Sequence, residues 1–198
     1  MTPSDTPLGI NQLKPLDRVL IREKTAVFNN NKYVVMAPDG AVILYAKEDS
    51  GIVNRVLVGK SRAFEIDIFD TQDREVIKLR RPYTVGPDKM DITMCGQPAA
   101  IVRKEVTFFK PVLNINDAAD RPFIRVKGPV STSGECDYEL YSTEKKRIGA
   151  ICKRWTGISR TSRDSDSFVI HFPVDLDVRY KAAIIGTCFL IDFLIYDN

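Results

Sequence analysis

Between Asp17 and Phe172 apolar and polar residues alternate one by one in short runs, and each run ends at a turn signal or a charged cluster. A two-residue period puts successive side chains on opposite faces of an extended chain, so this pattern demands strands with one apolar and one wetted face. In residues 63–70, Phe64, Ile66 and Ile68 share a face opposite Glu65 and Asp67. Met90, Ile92 and Met94 oppose Asp91 and Thr93 in the same way. Ile124 and Val126 oppose Arg125 and Lys127, and Tyr138 and Leu140 oppose Asp137 and Glu139. About twelve strands are counted, beginning near Asp17, Lys32, Ala41, Arg62, Arg74, Met90, Ala99, Lys110, Pro122, Cys136, Arg147 and Ser167, the spacing of a sandwich or barrel. The strands are short and charged and carry no aromatic girdles, which favours apolar residues turned inward over a membrane-spanning barrel.

A barrel of about twelve strands is wider than the eight-strand size that its own side chains fill, so something must occupy the middle. Residues 182–191 are apolar on every helical face except at Thr187, the pattern of a helix buried all round. A C-terminal helix over 178–195 is therefore expected inside an antiparallel, mainly β barrel, with Ala182, Ile185, Gly186, Phe189 and Phe193 among its packing positions. Gly186 and Thr187 are small enough for close approach. The competing placement is a membrane span. Residues 182–196 would then reach roughly 22 Å, short of the ~30 Å hydrocarbon core, with Asp192 interrupting the run. Residues 1–13, short and polar without an apolar signal core, are expected to form a flexible N-terminal segment, leaving 14–198 as one domain.

A formal charge of +3 is too small to select a nucleic acid or a membrane by itself. Cys95, Cys136, Cys152 and Cys188 form no CxxC pair and have no metal-site spacing, as expected of reduced, packed thiols. His171 shares a strand face with Val169, and no nucleophile elbow, phosphate loop or zinc pattern accompanies it. A binding or transport protein, not an enzyme, is expected.

Three segments follow one another near the C-terminus: GAICKRWTGI (149–158), SDSFVIHFPVDLDV (165–178) and KAAIIGTCFLIDFLI (181–195). Together with NNKYVVMAPDG (30–40), AKED (46–49) and REVIKLRRP (74–82), they resemble the phospholipid scramblase family from roughly Leu16 to Tyr196. The resemblance implies a scramblase-like or tubby-like closed barrel that moves phospholipid between leaflets in both directions, with Ca2+ and without ATP. It implies phospholipid membranes and anionic lipids as partners. It also implies a place on the cytosolic side of a membrane, with cytosolic or nuclear pools. Family members often carry a palmitoylated cysteine run where this chain has residues 84–98 and the single Cys95. The family's proposed Ca2+ segment matches 164–175, which assigns Asp164, Asp166, Phe168, Ile170 and Asp175. The stretch 149–158 looks like the family's nuclear-import segment, with Ala150 where a lysine is usual.

Chemistry alone leaves alternatives at both places. A twelve-residue Ca2+ loop needs a glycine turn at its sixth position and a bidentate acid at its twelfth, where this segment has Val169 and the short Asp175. Phe168, Ile170 and Phe172 share one strand face, and an extended chain would hold Asp166 and Asp175 roughly 30 Å apart. The acids then form either a weak Ca2+ site or solvated strand ends with a helix start at Asp175 or Asp177. Lys145, Lys146 and Arg147 in one turn, and Lys153, Arg154 and Trp155 beyond, could draw anionic headgroups, serve as an import-like segment or form a solvated strand end. A second function fits the same features: a tubby-like adaptor that binds anionic lipid, protein or DNA without transporting lipid.

Overall fold

The computed structural model describes residues 6–23, 31–48, 63–83, 86, 88–108, 110–129, 136–154 and 167–196. Its strands are β1 (Arg18–Glu23), β2 (Asn31–Met36), β3 (Val42–Glu48), β4 (Phe64–Asp70), β5 (Glu75–Arg81) and β6 (Lys89–Met94), then β7 (Gln97–Lys104), β8 (Val112–Asp117), β9 (Pro122–Lys127), β10 (Cys136–Ser142), β11 (Arg147–Arg154) and β12 (Ser167–His171). Each pairs antiparallel with its neighbours in sequence, and β1 pairs with β12, matching Val19 to Ile170 and Ile21 to Phe168. The result is a closed barrel of twelve strands. Sequence alternation becomes inside and outside: Phe64, Ile66 and Ile68 are buried while Glu65 and Asp67 are only half-buried.

Helix α2 (Val178–Ile191) continues into a π-helical turn (Asp192–Tyr196) and fills the interior. Every residue from Lys181 to Ile191 is buried, so the helix has no wetted face over that length. Gly186 sets its approach to the wall: a Cβ there would stand 2.8 Å from Leu79 Cδ2 and 3.1 Å from Ile92 Cδ1. Thr187 satisfies its hydroxyl within the helix by donating to the Ala183 carbonyl at 2.8 Å. Of the two expected helix starts, Asp177 is the N-cap, accepting from the Arg179 N–H at 2.9 Å. Among the described residues no helix is long and apolar enough to cross a membrane.

Part of the segment expected to be flexible, residues 1–13, is helical. Leu8–Leu13 form helix α1, which buries Gly9, Ile10 and Leu13. Ile10 and Leu13 are one helical turn apart, and both are almost wholly inaccessible. A Cβ on Gly9 would lie 2.6 Å from Leu44 Cδ2 and 2.8 Å from Asp70 Cβ, so this helix belongs to the domain.

Antiparallel succession sends the connections alternately to two rims. One rim carries α1, the start of α2 and the tight turns after β2, β4, β6, β8 and β10. All the described residues with positive φ sit in those turns: Gly40, Asp73, Cys95, Gly96, Asp120 and Lys145. Two of the turns repeat one device. In 70–74 and 117–121, an Asp-x-x-Asp-Arg sequence lets the first carboxylate accept backbone N–H groups two and four residues on, at 2.9–3.1 Å. The second aspartate takes the left-handed conformation that closes a three-residue hairpin loop. The opposite rim receives the connections after β1, β3, β5, β7, β9 and β11, together with the end of α2.

Candidate functional site

The described part of the acidic segment runs along β12 to the tight-turn rim. Asp164 and Asp166 lie outside the described residues. Phe168 and Ile170 point into the core, with 2% and 0% of their surface exposed, and their backbones pair with both β1 and β11. Asp175 is exposed beyond β12 at the tight-turn rim, near the buried ammonium of Lys181. Strand β12 alone advances about 16 Å between the two ends of the segment. The described members do not fit a single Ca2+, whose oxygen ligands must all lie within ~2.6 Å of the ion. Among the described residues no group of three or more His, Cys, Asp and Glu is placed to hold a metal.

The basic residues do not lie together. Lys145, Lys146 and Arg147 are exposed at the tight-turn rim, where Arg147 Nε meets Glu139 Oε1 at 3.1 Å. Arg154, whose backbone ends β11, is about 23 Å along the strand from Arg147, and Trp155 lies outside the described residues. Lys153 requires a correction: it was expected with the solvent-facing headgroup or import-like residues, but its side chain is 0% exposed inside the barrel. There Nζ reaches Asp192 Oδ1 at 3.2 Å, and the hydroxyl of Tyr33 donates to Asp192 Oδ2 at 2.8 Å. Lys153 also stands over the Phe168 ring, 5.2 Å from its centroid. The signal was present in the strand period, because Lys153 shares a face with Ile151.

This cluster ties the end of α2 to β2 and β11. Close by, burial pushes the Cys188 thiol well above its ordinary range, leaving an inert, packed sulfur. On the same rim Arg81 lies against Phe193, 5.1 Å from the ring centroid, and pairs with Asp88. At the tight-turn rim Lys181 tethers the other end of the helix. Its Nζ donates to the carbonyls of Lys14, Leu16 and Val174 at 2.6, 2.7 and 2.8 Å. Burial pushes this ammonium below its usual range, while Asp17 and Asp175 act the other way. Lys181, Asp192 and Tyr33 are structural ties that no sequence motif marks. The available clue was the pair of charged residues bounding an apolar helix, since a buried charge needs partners.

With the interior filled, the outer wall offers a groove of about 350 Å³ across β8, β9 and β10. Arg125, Lys127, Lys145 and Tyr141 line it, with Phe123 and Glu105. Lys127 sits 4.5 Å from the Tyr141 ring centroid, and Arg125 reaches Glu105 Oε2 at 2.7 Å. Tyr141 donates its O–H to Glu139 Oε2 at 2.6 Å, and this bond holds the phenol above its usual pKa. Three cations face one carboxylate here, which favours an anionic ligand group. Phe123 stacks on Tyr180 with ring centroids 3.7 Å apart, joining this wall to the first turn of α2.

The Scramblase family model matches residues 2–198. Phospholipid scramblase 1 of Homo sapiens is 32% identical over 99% of this chain, which spans 68% of that protein. Phospholipid scramblase 2 of Bos taurus is 32% identical over 100% of this chain and 74% of its own length. A solved structure of a protein from Arabidopsis thaliana superposes with a TM-score of 0.54, covering 94% of this chain and 98% of the other. At 13% identity that likeness is one of fold.

Proposed function

We propose, from the premise that this chain belongs to the phospholipid scramblase family, that it moves phospholipids between membrane leaflets in both directions without ATP. The single observation carrying this is the family match over residues 2–198, which takes in the whole barrel and its helix. Because α2 occupies the interior, lipid headgroups meet the protein on its outer wall. The groove lined by Arg125, Lys127 and Lys145 supplies cations for a phosphate-bearing headgroup. The proposed Ca2+ dependence rests on family resemblance.

The adaptor alternative is favoured by one specific observation: the helix is tied at both rims, by Lys181 and by Lys153 with Asp192, leaving no evident lipid path through the barrel. In that case the protein holds anionic lipid, protein or DNA without transport. Dithionite quenching of a labelled lipid in reconstituted liposomes, with and without Ca2+ and alongside flotation, separates the two. Loss of the protected inner-leaflet signal supports transport. Flotation with the inner leaflet still protected selects the adaptor.

A further inference from the structure

We infer that Val106 and Phe108, in the connection that follows β7, insert into the interface of an anionic membrane and enter its acyl boundary. Phe108 is 95% exposed and Val106 80% exposed. Single exposed apolar residues are ordinary, but two nearly bare ones within three positions are not. Two hydrogen bonds brace the described residues beside them: the Glu105 N–H donates to the Val112 carbonyl at 2.8 Å, and the Thr107 hydroxyl donates to the Lys110 carbonyl at 2.5 Å.

The occupant follows from size and charge. Two side chains fall far below the ~800 Å² per partner of a stable protein interface, yet they suffice for shallow interfacial anchoring when cations assist. Lys104 and Lys110 flank these residues in the chain, and Lys127 is in register opposite Val112. The nearby acids are already engaged, Glu105 with Arg125 and Asp88 with Arg81 and Lys104. The next connection on this rim adds Tyr83, 53% exposed, and the two connections are joined by the Lys104 N–H donating to the Asp88 carbonyl at 2.9 Å. Exposed apolar side chains with lysines beside them in the chain match a surface of anionic headgroups over hydrocarbon. Glu105 and Lys127 also line the outer-wall groove, so insertion would bring that groove to headgroup level.

The inference rests on the proposed lipid handling but is tested separately. The full chain carrying Phe108→Trp and Trp155→Phe is mixed with vesicles of phosphatidylcholine and phosphatidylserine bearing brominated acyl chains. A blue-shifted, quenched Trp emission is expected. In parallel, Phe108→Ser should weaken partition into these vesicles about tenfold while leaving the melting of the free protein unchanged. Lys110→Gln should weaken binding to the anionic vesicles and not to pure phosphatidylcholine. Red, unquenched emission on bound vesicles, or a Phe108→Ser protein that floats like its parent, overturns the inference even where the parent transports lipid. Quenching with an inner leaflet still protected from dithionite supports insertion and sinks transport instead. A parent that binds no vesicle overturns both.

Discussion

The two rims of the barrel hold the same helix by different chemistry. At the tight-turn rim, Lys181 gathers three main-chain carbonyls from two chain segments, and its charge is met only at a distance by Asp17 and Asp175. At the other rim, Lys153 meets a carboxylate directly, and Tyr33 donates to the same carboxylate. The first arrangement secures backbone, including the connection into β1 and the exit from β12. The second secures one side chain against another. A charge that serves backbone has no partner that can be removed with it, whereas a charge pair can be deleted as a unit.

The largest test removes what the rims share. Ending the chain at Lys181 takes away Ile184, Ile185, Phe189 and Leu190, all buried, each worth ~1.5–3 kcal/mol of burial against a typical stability of ~5–15 kcal/mol. Cooperative thermal unfolding followed by circular dichroism should disappear. A sharp transition in the truncated protein would show that the rims stand without their common strut.

Next comes the pair itself. Lys153→Met should destabilise by about 3–5 kcal/mol, because it leaves Asp192 buried and uncompensated. Adding Asp192→Leu should restore most of that loss in urea titrations. Absence of recovery would mean that the contact with Tyr33, not the charge pair, holds this rim. Lys181→Met should cost about 2–3 kcal/mol through carbonyls left without a donor, and no single second substitution should rescue it. A rescue by Asp175→Asn would make the two rims alike.

The smallest effect lies in the turns. Hydrogen bonds from Arg103 and Asn116 hold Asp120 at about 2, against an ordinary 3.8. A depressed carboxylate stabilises the fold above pH 3.8 and loses that contribution as pH falls through about 2. The group is partly exposed, so solvent screening keeps the term under about 1 kcal/mol. Melting temperature should therefore decline between pH 4 and pH 2, and less steeply in Asp120→Asn. Identical slopes would mean the decline arises elsewhere.

The wall of the barrel was legible because alternation and burial are one physical fact in a strand: Phe64, Ile66 and Ile68 are inside because Glu65 and Asp67 cannot be. The helix was legible for the complementary reason, having no polar face to expose. Lys153 was half legible. Its face could be read from Ile151, but Asp192 stands 39 positions away and is brought to it only by the closed fold. Helix α1 went unread because Ile10 and Leu13 are a single pair of apolar positions in a segment too short to show a period. The repeated Asp-x-x-Asp-Arg turns were visible as text, but the left-handed second aspartate that gives them meaning belongs to the backbone. The groove and the exposed Phe108 carry no motif, since exposure is set by what the neighbouring strands leave uncovered.

Closure through β1 and β12 has a consequence for how the protein is made. The contacts that complete the wall join residues near the two ends of the chain, and the helix that fills it is synthesised after every strand. Such long-range pairing is slow, because loop-closure entropy is spent before the contacts form. While the chain is still growing, the apolar inner faces of the earlier strands have no plug to cover them. Native burial must therefore await the last residues, and until then the nascent wall exposes the kind of surface that chaperones recognise.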